Sequence, residues 1–166
     1  MDSAELTRVF PGLIDNYLDD ATAPQQIQPD PIHDVHPTWS FINGSVLTVG
    51  AIFPDTGQLR VTLGLAFEVP YTAEVSHHVN RLNNKELLFG RMFLIGNDES
   101  GLGCILMQEI VLADSLSEEH PASLRNLLRI VAALGGQASR LAPSLQEQFG
   151  GQPFTEEQAF FLQMNG

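Results

Sequence analysis

Residues His77 to Leu112 read HHVNRLNNKELLFGRMFLIGNDESGLGCILMQEIVL. A helical repeat ends here, an amide-rich corner follows, and two apolar runs flank the polar turn NDESG. Strands are predicted at about 86–96 and 101–112. In the first, Leu87, Phe89, Arg91, Phe93 and Ile95 share one face, and Leu88, Gly90, Met92, Leu94 and Gly96 the other. In the second, Leu102, Cys104, Leu106, Gln108, Ile110 and Leu112 oppose Gly103, Ile105, Met107, Glu109 and Val111. Successive strand residues point to opposite faces, and an antiparallel sheet with one wet face alternates apolar with polar. Neither run alternates, so both faces of this hairpin need cover. Each large apolar side chain gains roughly 1.5–3 kcal/mol on burial, and an apolar patch left in water invites association. One helical layer covers one face. Either the chain's own terminal helices cover the second, or a second subunit or client does. Met92 and Met107 suit an adaptable contact, because methionine repacks easily.

Outward from this hairpin, the period changes. QLRVTLGLAFE at 58–68 alternates, with Leu59, Val61, Leu63, Leu65 and Phe67 on one side and Arg60, Thr62, Gly64, Ala66 and Glu68 on the other, which predicts a half-buried strand. Before it, WSFINGSVLTVGAIF places Asn43–Gly44 between apolar runs, a hairpin signal. PDTG at 54–57 supplies a second turn. After it, Thr72 is positioned to cap a helix carrying Val75, Val79 and Leu82 on one stripe, with Asn83 or Asn84 as a left-handed stop.

Leu6, Val9, Phe10, Leu13, Ile14 and Leu18 predict an amphipathic first helix that Pro11–Gly12 would kink or split. Four prolines (Pro24, Pro29, Pro31, Pro37) make residues 20–38 an extended arm. Leu124, Leu127, Leu128, Val131, Leu134, Ala138 and Leu141 mark a long helix starting after Ser117, with Pro121 in its first turn and a break or bend expected at Gly135–Gly136. A short helix with Phe160, Phe161 and Leu162 follows. The expected fold is α+β: a five-stranded antiparallel sheet with helices packed on it, in the order α-βββ-α-ββ-α. Three regions are delimited: a helix and proline-rich arm at 1–38, the α+β domain at 39–145 and a helical tail at 146–166.

Composition narrows the partners. A net charge of −12, a pI near 4.5 and a single lysine, Lys85, disfavour nucleic acid and anionic membranes. No apolar run is long enough to span a bilayer and the first residues lack a signal core, so a cytoplasmic location is expected. Cys104, alone and within an apolar run, is read as a buried packing thiol. Motifs for chemistry are weak. GGQ at 135–137 and again at 150–152 lacks the basic surroundings that an RNA-entering loop needs, and GLGC at 101–104 leads into a strand, not a phosphate-binding helix. DPIHDVH places His33 and His36 near Asp30 and Asp34, a metal-capable set without a second cluster to close it, so a solvated loop is preferred. His77 and His78 point in different directions on a helix, and His120 is a surface residue. No catalytic residue, cofactor or metal site is nominated.

The stretch VNRLNNKELLFGRMFL…GLGCILMQEIVL, with RLNN at 81–84, FGRMFL at 89–94 and SLSEEHPASLRNLLRIVAAL as the final helix, resembles the type III secretion chaperone-like fold and its YbjN-like and actinobacterial relatives. The similarity covers about residues 39–145. It implies a small acidic cytoplasmic protein, commonly a homodimer, that lacks catalytic activity and binds an extended client segment on apolar patches. The chain departs from that pattern in its proline-rich first 38 residues and in the extra helix after 145. Together these readings nominate Leu88, Met92, Leu94, Ile105, Met107 and Val111 as a partner-binding face, and Val75, Val79 and Leu82 of helix 71–84, or the neighbouring strand edge, as a dimer interface. A structural or regulatory domain of a larger assembly is the alternative, and a metal protein built on HDVH a weaker one.

Overall fold

A computed structural model describes residues 1–28 and 36–165. The first helix, α1 (Ser3–Tyr17), starts in a capping box: the Glu5 N–H donates to Asp2 Oδ1 at 2.8 Å and the Asp2 N–H to Glu5 Oε2 at 3.0 Å. It runs unbroken through Pro11. A proline inside a helix costs about 3 kcal/mol, while Leu6, Phe10 and Ile14, all fully buried, each return roughly 1.5–3 kcal/mol. Tertiary packing therefore outweighs the local break that the sequence suggests.

The arm after α1 is not free. It forms β1 (Gln25–Gln26), which pairs antiparallel with β2 (Thr38–Asn43). The Thr22 N–H donates to the Ile42 carbonyl and the Ile27 N–H to the Thr38 carbonyl, both at 2.9 Å. Among the described residues the sheet therefore has six strands rather than five. Next come β3 (Val46–Phe53), β4 (Gln58–Pro70), α2 (Ala73–Lys85), β5 (Arg91–Asn97), β6 (Leu102–Leu112), α3 (Pro121–Phe149) and α4 (Ala159–Asn165). All pairings are antiparallel, in the order β1-β2-β3-β4-β6-β5. The turn at Asn43–Gly44 and the turn before Gln58 fall where the sequence places them.

The main core lies between one sheet face and α1, α2 and α3. It joins Leu6 and Phe10 to Leu59, Val61, Met107, Val79, Val131 and Leu145. Boundaries at 38 and 145 thus cut through packed structure: Thr38 opens β2 and α3 continues to Phe149. Helix α3 also passes Gly135–Gly136 without a break. Gly135 is there for close approach, because a Cβ at this position would collide with the amide of Asn43. That buried amide donates from Nδ2 to the Val131 carbonyl at 2.8 Å, docking the β2–β3 turn on the helix.

Residues 86–90 are not strand. They arch over α3, where Gln137 accepts from the Leu88 N–H at 2.8 Å and donates from Nε2 to the Phe89 carbonyl at 3.0 Å. The second GGQ serves the fold as well. Gly150 ends α3 in the left-handed conformation at φ 72°, and Gln152 forms a two-bond bridge with Phe67.

Candidate functional site

Side-chain alternation sorts β5 and β6 as the sequence reading divides them, but the faces are exchanged. Met92, Ile105, Met107 and Val111 point into the helix-covered core, each at most 8% exposed, and the half-buried Leu94 packs against the same core. They are not a free patch. Val75, Val79 and Leu82 likewise pack inward on the sheet, at most 6% exposed, and offer no surface to a second subunit. Of the nominated residues Leu88 alone is open, at 85%, in the arch over α3. The reason is a matter of period: a two-residue repeat says which residues share a face, not which face the helices take.

The second face carries Leu47, Val49, Cys104 and Leu106 under Phe154, Ala159 and Leu162 from the chain's last segment. This segment crosses β4 and is held there. β4 is longer than β3, whose pairing with it stops at Leu63. Beyond that point the Gln146 Nε2 donates to the Leu65 carbonyl at 2.7 Å, and the main chain of Gln152 exchanges two bonds with Phe67 at 2.7 and 2.8 Å. Gly64 lies beneath the Phe154 ring, where any Cβ would collide with it. Strand β4 is therefore not half-wet: Thr62, Gly64 and Ala66 are all buried. Register shifts at Gly64/Ala66 and Phe67/Val69 break its simple alternation and carry Ala66 into the main core.

Cover of the second face is partial. At one end Ile110 and Leu112 remain 44% and 49% exposed. Arg60, opposite Ile110 in the register, sets its guanidinium 4.1 Å over the Phe53 ring, and the His36 ring centre lies 4.3 Å from that of Phe53. Gln108 donates from Nε2 to Thr62 Oγ1 at 3.1 Å, with exposed Arg91 beside it, which makes a polar belt across the middle. At the other end Leu102 is 45% exposed over a cleft of about 360 Å³. Phe67, Ile95, Cys104 and Phe161 wall it, with Glu68 and Asn97 as its polar residues. Glu68 is the extra residue of the second register shift and has φ 58°, the one positive value outside glycine among the described residues. Such a conformation costs a side-chain-bearing residue about 1–2 kcal/mol.

Cys104 is buried as expected, and burial pushes its thiol up to about 11, so it is protonated at neutral pH. Of the metal-capable set, Asp30, His33 and Asp34 lie outside the described residues. Among the described residues no three His, Cys, Asp or Glu side chains are grouped to hold an ion. His78 packs against Phe149 at 5.2 Å, with burial and the Arg81 charge lowering its pKa.

At the outer edge of β5 the sequence reading misses the bridge made by Asn83. Asn83, expected to end α2 in a left-handed conformation, stays helical, and α2 continues to Lys85. Its side chain holds Met92 from outside: Nδ2 donates to the Met92 carbonyl and Oδ1 accepts the Met92 N–H, both at 2.7 Å. Alternation puts the main-chain groups of Leu94 and Gly96 on the same outer side. There Leu94 borders a groove of about 310 Å³ shared with Tyr71, Ser76 and Asp98.

No protein-family model and no curated protein matches this sequence. Among solved structures, the chain is similar to an uncharacterized protein from Methanothermobacter thermautotrophicus, with 13% identity over 89% of this chain and 99% of that one and a TM-score of 0.51. It is also similar to a chain in the crystal structure of the ExsC–ExsE complex, with 12% identity, full coverage of both chains and a TM-score of 0.48. The first likeness is one of fold alone. No helix among the described residues is long and apolar enough to cross a membrane.

Proposed function

We propose that this chain is a non-enzymatic, chaperone-like protein-binding module of the cytoplasm that works as a homodimer and receives a client segment on the second sheet face. The observation that carries the reading is the partial cover of that face. Leu102, Ile110 and Leu112 stay near half exposed on one strand, next to side chains that the chain's own last segment does cover. The face takes an apolar segment in cis over β3, β4 and β6, and the uncovered part is chemically alike.

The dimer reading moves from α2 to the β5 edge. With Met92 held by Asn83, the free outer groups are those of Leu94 and Gly96. Antiparallel pairing with a second copy about Ile95 sets Leu94 against Gly96 of that copy and leaves Asn83 in place.

Photo-crosslinking from position 110, with exposed position 136 on α3 as control, tests the client site. The reading expects one recurrent protein attached at 110 and absent at 136. Its attached segment, made as a synthetic peptide, should bind the purified chain and fail to bind a folded Ile110→Asp variant. No recurrent adduct at 110, or peptide binding indifferent to Ile110→Asp, overturns it. Light scattering with wild type and Leu94→Pro tests the pairing: a dimer that proline turns into a monomer supports it, and a wild-type monomer at micromolar concentration removes it.

A further inference from the structure

The cleft between the ends of β4, β5 and β6 has a composition of its own. Its walls are apolar and aromatic, its polar residues are Glu68 and Asn97, and no basic residue lines it. Glu68 has no ion-pair partner among the described residues, although Arg8 and Arg140 do find carboxylates, Glu118 at 2.7 Å and Glu86 at 3.7 Å. The turn after Asn97 adds Asp98 and Glu99, both exposed. The register shift at Phe67/Val69 is what brings Glu68 to this rim, and it does so in a backbone conformation that glycine would adopt without strain. A strained carboxylate at the mouth of an apolar cleft has a use if a cation sits beside an apolar group there. The volume, about 360 Å³, lies in the range of sites that take a compact ligand or a large side chain.

We infer that this cleft is a specificity pocket for a protein segment in which a large apolar residue is followed directly by Lys or Arg. The apolar side chain enters between Phe67, Ile95 and Phe161, and the cation meets Glu68 at the rim. The inference rests on the protein-binding reading above and adds to it the sequence class of the segment. The acidic chain favours the same class, because its field attracts basic segments before contact.

Two synthetic peptides with the same flanks test it, one with a Leu-Phe-Lys-Lys core and one with Leu-Phe-Glu-Glu. They are titrated into the full chain, labelled at methyl groups for NMR. The expected result is binding of the basic peptide with shifts at Ile95 and Leu102, and none with the acidic one. Glu68→Gln, which keeps the side chain's size, should weaken the basic peptide about fivefold, as loss of a rim charge does. Leu102→Trp, which fills the mouth, should weaken it at least as much; circular dichroism checks that both variants are folded. Equal binding of the two peptides, or an unchanged affinity in Glu68→Gln, overturns the pocket while leaving the sheet face as a binding surface. Shifts confined to Ile110 and Leu112 do the same. No shift with either peptide overturns the pocket, and the crosslink at position 110 then decides the broader reading separately.

Discussion

Asn83 and Met92 are joined by two hydrogen bonds of 2.7 Å, one in each direction, so a side chain at the end of α2 acts as one residue of a neighbouring strand for β5. The amide is suited to this because it both donates and accepts. Replacing it with alanine leaves both main-chain groups of Met92 without that partner. Asn83→Ala is expected to cost about 1–3 kcal/mol, read by denaturant unfolding. Asn83→Asp should lose part of this, since a carboxylate accepts the N–H but cannot donate to the carbonyl. An unchanged midpoint in Asn83→Ala would show that the bridge contributes nothing.

Gly135 lets the Asn43 amide of the β2–β3 turn pack directly on α3. Gly135→Ala would raise helix propensity, yet its methyl group meets the buried amide. Overpacking of this kind costs about 1–3 kcal/mol, so destabilisation is expected despite the better helix former. Combining it with Asn43→Ala should give less than the sum of the single effects. Thermal unfolding of the three variants measures this.

Phe154 holds the last segment to the sheet. It is 8% exposed and packs on Gly64, Phe67 and Phe161, with ring centres 5.3 Å from Phe67 and 6.3 Å from Phe161. Phe154→Ala is expected to destabilise by about 3–5 kcal/mol and to raise the binding of a hydrophobic dye as the second face opens. Dye fluorescence equal to wild type would mean that the segment stays seated without its anchor.

Cys104 should resist alkylation. With its thiol pushed up to about 11 by burial, the reactive thiolate is scarce at pH 7 to 8. Modification by iodoacetamide, followed by mass spectrometry, should be slow in the native chain and fast after denaturation. The linkage has a definite sign. The folded state keeps its proton at a pH where the unfolded thiol, near 9, has lost it. The contribution of this group to stability is therefore complete below pH 9 and falls as pH rises from 9 towards 11.

Much of the fold could be read from residue order: the Asn43–Gly44 hairpin, the apolar pair of strands after α2 and the long last-but-one helix all stand where their patterns put them. What escaped has physical causes. The pair Gln25–Gln26 carries no apolar signal, because both residues are exposed and join the sheet through their main chain. The arch at 86–90 looks like strand, since Leu87, Leu88 and Phe89 are apolar, but Gln137 takes its main-chain groups. The exposed band on β6 lies on the side opposite the expected one, because periodicity carries no information about which side receives helices. Glu68 looked like an ordinary outward residue of an alternating strand, and two register shifts decided otherwise. A run of alternation ending in Glu-Val-Pro gives little warning of a bulge.

The unequal edges of the sheet set a limit on growth. On the β1 side the margin is a stub of two glutamines, too short to template another chain. On the β5 side Asn83 blocks one end and leaves a stretch with room for a brief pairing. A second copy pairing there through its own β5 would use up the open edge of both chains, so an assembly of that kind would close at two chains and would not propagate into fibres.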